Sequence, residues 1–329
     1  MCLVISRMSK PRQCVSPIVQ HPLNADVIVW ASGAELLAYN VVSRDILFRL
    51  SAHTAPILTI SFTLDDGRVL WVTAGEDKKV MIHREHDMSL QFEYLHRKKI
   101  TYATIDNGQL LFCDMFGEAM SIDYKLNKDI GVLFGHFSVI TATTKNNRLL
   151  ITGDKDAKIR VCRYPDTFEI ESFCLGHTSY VSHLALLDND KLFSASGDGT
   201  IKMWNALSGF LLNSVSVAVS AIACMHSVGS LAYFVTEDSP KLLRSVDENM
   251  SPVNVMEFSS EVQGVFVTNR FIIGVTRDTG NLEIHRKSEE SWLTEIGNLP
   301  TRQARCLFYK HSHDDDESDA SPVSKQRRI

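Results

Sequence analysis

Three aspartates recur along this chain with the same companions. Asp77, Asp156 and Asp198 each have a hydroxyl residue four positions earlier (Thr73, Thr152, Ser194) and a histidine 20 to 24 positions earlier (His53, His136, His177). Asp156 and Asp198 are 42 residues apart, and Asp77 precedes Asp156 by 79, close to two such steps. Midway lies Cys113-Asp-Met-Phe-Gly117, a weaker turn leading into a strand-like run. The same step reaches Glu237-Asp238-Ser-Pro and Asp278-Thr-Gly280 going forward, and Ala31-Ser-Gly33-Ala-Glu35 going back. Seven turns result, near 33–35, 77, 117, 156, 198, 238 and 278. A period of about 40–45 residues marks a unit that cannot bury its faces alone and must stack against copies of itself.

The best-formed copy runs from Gly176 to Asn205 and resembles a WD repeat, the four-stranded blade of a β-propeller. Its Asp198-Gly199 pair is a two-residue turn signal, and glycine adopts the left-handed backbone such a turn requires. The resemblance assigns His177, Ser194, Asp198 and Trp204 to a linked structural network. An imidazole between a carboxylate and a hydroxyl can tie one loop to a neighbouring turn, and the Trp N–H needs an acceptor that the hydroxyl supplies. Seven such units close a ring, so the expected fold is all-β, a seven-bladed WD40-type propeller over residues 15–310. In the sixth and seventh copies, Phe234 and Gly274 occupy the hydroxyl position. Those blades are expected to rely on packing between sheets.

Composition agrees with a packed β protein. The hydrophobic share is 44%, which suits a globular chain. Val215 to Ala223 alternates β-branched with small residues and reads as strand. The tract from Ala206 to Thr236 lacks Lys, Arg, Asp and Glu, but its serines, glycines, Asn213 and His226 argue against a membrane span. The seven cysteines (2, 14, 113, 162, 174, 224 and 306) contain no Cys-x-x-Cys pair. With no secretory leader in view, free thiols in a reducing compartment are expected. Residues 1–14 read as a lead-in. Residues 311–329 read as a solvated tail, acidic through Asp314, Asp315, Asp316, Glu317 and Asp319 and then basic through Lys325, Arg327 and Arg328.

No catalytic constellation emerges. His83-Arg-Glu-His86 is not the His-Glu-x-x-His pattern and reads as the end of a strand. His311 and His313 sit in the tail. No glycine-rich phosphate or dinucleotide loop is present. The expectation is therefore a non-catalytic protein with no cofactor and no metal. Net charge is −5 for the whole chain and −3 without the tail, which lacks the basic excess of stand-alone nucleic-acid binders. Two local basic spots remain, His96-Arg-Lys-Lys99 and Lys155-x-x-Lys158-x-Arg160, and either could be a docking face.

One junction narrows the reading. Thr152-Gly-Asp-Lys-Asp-Ala-Lys-Ile-Arg-Val-Cys162, followed by Phe173-Cys-Leu-Gly-His-Thr-Ser-Tyr-Val-Ser182, is similar to the WD-repeat, non-catalytic subunit of the eukaryotic tRNA (guanine-N7-)-methyltransferase. The resemblance covers Gly135 to Trp204. It implies a propeller that docks on a catalytic partner as a heterodimer and holds that partner active. It also implies that the partner binds S-adenosylmethionine and methylates a guanosine in the tRNA variable loop, largely in the nucleus. Carried onto matching positions, docking falls to Lys99, His136, Lys158 and Arg160. The chain departs from the family at Ala157, where Glu is common, and at Met115, where Lys is expected. Two alternatives are a generic WD-repeat scaffold and a ubiquitin-ligase substrate receptor. The receptor's linker box needs Trp-Asp-x-Arg, and this chain has Trp204-Asn-Ala-Leu.

Overall fold

The structure, a computed structural model, describes residues 18–65, 67–106, 108–187, 190–277, 282–287 and 292–297. These residues form 28 strands in seven four-stranded antiparallel sheets, with no α-helix among them. In chain order the sheets span residues 18–51, 57–95, 100–135, 140–175, 181–216, 222–257 and 262–297. The strands of each sheet pair in sequence order, so every blade is one continuous stretch of chain. The fold is a seven-bladed β-propeller, as the seven-turn period predicts. The turn at 278, the lead-in and the tail lie outside the described residues.

Burial falls from the inner strands of a blade to its outer one. In the fourth blade, Leu149–Asp154 is buried throughout, whereas the outer strand Ile170–Leu175 is largely exposed. The buried apolar side chains fall into seven clusters, one at each junction between blades. Ile151, Ile159 and Val161 of blade four meet Val181, Leu192 and Trp204 of blade five. Cys113, Ala119 and Phe134 of blade three meet Ile140, Leu150 and Cys162 of blade four. The four described cysteines (113, 162, 174 and 224) are all buried.

The strand expected over 215–223 is cut in two. One strand ends at Ser216 and the next begins at Ile222. Between them the chain crosses from blade five to blade six, and Val217 and Ala218 donate to the Gly199 carbonyl at 3.0 and 3.3 Å. Small residues suit this crossing as well as a strand, so alternation alone misread it. Gly199 has φ +76°, and a Cβ there would lie 2.2 Å from the Ala218 oxygen. That position therefore requires glycine.

Among the described residues no strand passes between the first and last sheets, and side chains meet across the seam. Trp30, Leu37 and Tyr39 pack against Phe271, Ile273 and Ile284, and Arg270 donates to Asp26 at 2.5 Å. Trp30 is completely buried. Trp30→Ala should lower stability by about 3–5 kcal/mol, whereas Arg270→Ala, which loses a solvent-exposed ion pair, should cost less than about 1 kcal/mol. Urea titrations measure both. A Trp30→Ala loss no larger than that of Arg270→Ala would show that packing does not hold the seam.

Candidate partner-docking face

In an antiparallel four-stranded blade, the loop entering the first strand and the turn between the second and third lie at the same end. The histidine–carboxylate ties between these two segments therefore belong to one face of the ring. In blade five the tie is complete. His177 Nδ1 lies 3.0 Å from Asp198 Oδ2, and His177 Nε2 lies 2.7 Å from Ser194 Oγ. Trp204 Nε1 donates to the same Oγ at 2.8 Å. Thr200 Oγ1 donates to Asp198 Oδ1 at 2.6 Å, and the Thr178 amide donates to Oδ2 at 2.9 Å. With the imidazole proton on Nδ1, these donors have acceptors: Trp204 gives to Ser194, Ser194 to His177, and His177 to Asp198. Burial alone would push the Asp198 carboxyl up, but hydrogen bonds from His177, Thr200 and the Thr178 amide outweigh it and hold the group below the ordinary 3.8. Blade two repeats the tie through His53, Asp77 and Thr73, each contact near 2.9 Å.

Blade four departs from the sequence expectation. His136 Nδ1 meets Asp154 Oδ2 at 3.0 Å and Nε2 meets Thr152 Oγ1 at 2.7 Å. Asp156 is exposed and stands outside the tie. Asp154 Oδ1 also accepts the amides of Asp156 and Lys158, both at 2.9 Å. Blade three places its acid alike, without the hydroxyl: Asp114 Oδ2 meets His96 Nε2 at 3.2 Å, and Oδ1 accepts the amides of Phe116 and Glu118. The left-handed residue of each turn keeps its place, at Lys78, Gly117, Ala157 and Gly199. What moves is the acid. Blades two and five carry it just before that residue, and blades three and four carry it three residues before. The readable signal was an interval of 18 residues, shared by His96–Asp114 and His136–Asp154.

Blades six and seven do not rest on packing alone. In blade six, Arg244, paired opposite Phe234, donates to Thr236 Oγ1 at 2.5 Å and to the Val217 carbonyl at 2.9 Å. In blade seven, Glu283, paired opposite Gly274, accepts from the Ser259 hydroxyl at 2.7 Å and from His285 Nε2 at 2.9 Å. Both substitutes come from the third strand, which is where Arg160 and Lys202 stand opposite Thr152 and Ser194.

The four proposed docking residues have different surroundings. Lys158 is exposed at the start of its strand. Arg160, on the same face, is half-buried: Nε donates to Cys162 Sγ at 3.0 Å and a terminal nitrogen to the Gly135 carbonyl at 3.3 Å. Its guanidinium carbon lies 4.5 Å from the centre of the Phe134 ring. Ile159 and Val161, facing the other way, are fully buried. Lys99 sits in the loop before blade three, 3.6 Å from Glu76 Oε2. His136 has both ring nitrogens engaged inside blade four and its side chain is 5% exposed. It can therefore support a docking surface by fixing its loop, and its ring is unavailable to a partner. Lys98, part of the basic spot His96–Lys99 but not one of the four docking residues, lies 3.9 Å over the ring of Phe116.

Residues 123–269, from the end of blade three's third strand through the first strand of blade seven, match the tRNA methyltransferase TRM82 WD40 domain. Over that stretch, a little under half of its length, the chain is similar to the TRM82 WD40 family. It is 37% identical over 164 residues to a Drosophila grimshawi protein called the tRNA (guanine-N(7)-)-methyltransferase non-catalytic subunit wuho, covering 47% of this chain and 42% of that one. It is 34% identical over 191 residues to the Dictyostelium discoideum non-catalytic subunit wdr4, covering 50% and 40% respectively. The matched stretch thus spans less than half of each relative. Among solved structures, a chain from a mitotic checkpoint complex superposes with a TM-score of 0.70 at 17% identity, covering 86% of this chain and 90% of that chain. The computationally designed Ika8 protein superposes at 0.68 with 16% identity, covering 87% and 89%. At those identities the two structures speak for the propeller fold alone.

Two pairs of variants test the ties of this propeller. Asp154→Ala strands His136 and two amides and should cost about 1–3 kcal/mol, whereas Asp156→Ala should stay within about 0.5 kcal/mol. Thermal melts showing the reverse order would return the tie to Asp156. Asp198→Ala should likewise cost more than Asp238→Ala, since Asp238 is exposed and takes its side-chain bond from Thr236. Because the folded Asp198 carboxyl is depressed, its contribution is full above the ordinary carboxyl value and fades as pH falls toward the folded one. The stability gap between wild type and Asp198→Ala should therefore be wide at pH 6 and shrink progressively as pH falls below about 4. A gap that widens in acid would contradict this assignment.

Proposed function

We propose that this chain is the non-catalytic subunit of a tRNA (guanine-N7-)-methyltransferase and forms a heterodimer with the catalytic subunit through the junction of blades three and four. The observation that carries the reading is the match over residues 123–269, which takes in blade four and the Lys158–Arg163 strand. Relatives similar to this chain are named non-catalytic subunits of this methyltransferase. Methyl-donor binding and transfer to a guanosine of the tRNA variable loop belong to the partner, in the nucleus. The propeller contributes a rigid face.

Physical chemistry supports a docking role for this junction. Arg160 is held by Phe134, Cys162 and the Gly135 carbonyl, so little side-chain freedom is lost when it meets a partner's carboxylate. Lys158 projects into water beside it. Opposite charge on the partner would speed encounter and fix register.

Lys158→Glu is the cleaner probe, because its ammonium is exposed, and Arg160→Glu is the stronger one. Each should weaken co-purification with the catalytic subunit at physiological salt and lower N7-methylguanosine in tRNA. Reversing a charge that meets a buried acid costs several kcal/mol. Lys158→Glu should melt as wild type does. Full partner binding by both variants would remove this junction from the interface. Donor binding or methyl transfer by the purified propeller alone would overturn the non-catalytic reading.

A further inference from the structure

Two phenylalanines stand in water beside the proposed docking strand. Phe137 is fully exposed and Phe116 is 52% exposed. Phe116 occupies the turn position that is aspartate at 77, 156 and 198. Asp114 has taken over the tie to His96, which frees position 116 from structural duty. A solvent-facing turn residue is ordinarily polar, and the Phe116 ring meets the Lys98 ammonium 3.9 Å above it.

Both rings are carried on pinned backbone. Asp114 Oδ1 accepts the Phe116 and Glu118 amides at 2.8 and 3.0 Å. Phe137 directly follows His136, whose two ring nitrogens are bound within blade four. The two segments touch, because the His136 amide donates to the Gly117 carbonyl at 2.8 Å. A Cβ at Gly117 would lie 2.5 Å from the Ser138 oxygen. Arg160 reaches the Gly135 carbonyl, two residues before Phe137. Phe116, Phe137 and Arg160 thus belong to one surface, with Arg97, Lys98 and Lys158 exposed around it.

We infer that Phe137 and Phe116 are the apolar anchors of the methyltransferase-binding face. Protein interfaces place aromatic anchors at the centre and charge at the rim, and anchors on a rigid backbone lose little entropy on binding. The partner is then a protein surface with an apolar pocket that accepts the Phe137 ring, bordered by carboxylates that meet Lys98 and Lys158. This inference rests on the docking reading above. Exposed aromatics beside cations also stack nucleobases, but continuity with the clamped Arg160 and the net acidity of the chain favour a protein.

The test is a calorimetric titration of the full-length chain and its variants with the catalytic subunit. Phe137→Ala should raise Kd by about 30-fold or more, with Phe116→Ala acting in the same direction. Phe210→Ala, which removes an exposed ring on blade five, should bind and melt as wild type does. A Phe137→Ala Kd within about threefold of wild type, outside hot-spot range, overturns the inference. Arg160→Glu in the same series separates the two levels. If it weakens binding while Phe137→Ala does not, the docking reading stands and the anchor inference falls. If neither weakens binding, both fall. Should Phe137→Ala keep the partner but loosen tRNA retention by the complex, the ring stacks on RNA and the inference is overturned.

Discussion

One imidazole between a carboxylate and a hydroxyl holds each well-formed blade's entering loop to its own central turn. The functional surface depends on this tie more than on any other contact. Loops at the end of a propeller have few neighbours, and an untied loop would sample many positions. Where the tie exists, the backbone on either side is fixed to the rigid sheet. His136 fixes the loop that carries Phe137, and Asp114 fixes the turn that carries Phe116. A buried polar group of this kind stabilises only when its hydrogen bonds are all made. That explains why blades lacking the hydroxyl recruit Arg244 or Glu283 for the same task.

Packing and polar ties divide the work. The seven junction clusters hold the ring together, and at the seam between the first and last blades the described sheets meet through packed side chains, with no strand shared among the described residues. The ties contribute little to closure. They set the height and orientation of one face. A partner that needs a preorganised surface would read that face, whereas the outer strands offer exposed but repetitive edges. The Arg160 side chain joins the two systems, lying over the Phe134 ring at the junction while its guanidinium borders the tied loop.

Much of this was legible in the residues. The seven-fold period was readable because aspartate, hydroxyl and histidine recur at intervals that only a stacked repeat explains. The complete tie of blade five was readable because all four residues stand at one spacing. Blade four misled because Asp154 and Asp156 both fit a turn, and the interval to His136 was judged against blades two and five. Only the neighbouring pair His96–Asp114, itself hidden by the weak turn at 117, would have corrected it. Arg244 and Glu283 were not legible, since their role comes from pairing across the sheet opposite Phe234 and Gly274. The exposure of Phe137 was hidden for a similar reason. An apolar residue after a histidine reads as the start of a strand until the loop's path is known.

Hydrogen–deuterium exchange on the free chain and on its mixture with the catalytic methyltransferase subunit tests the central claim most directly. The account predicts added protection in the segments 97–99, 115–118, 135–138 and 155–161, with blades one, six and seven unchanged. Protection spread over blades one, six or seven, with those four segments unaffected, would contradict a docking face at the junction of blades three and four.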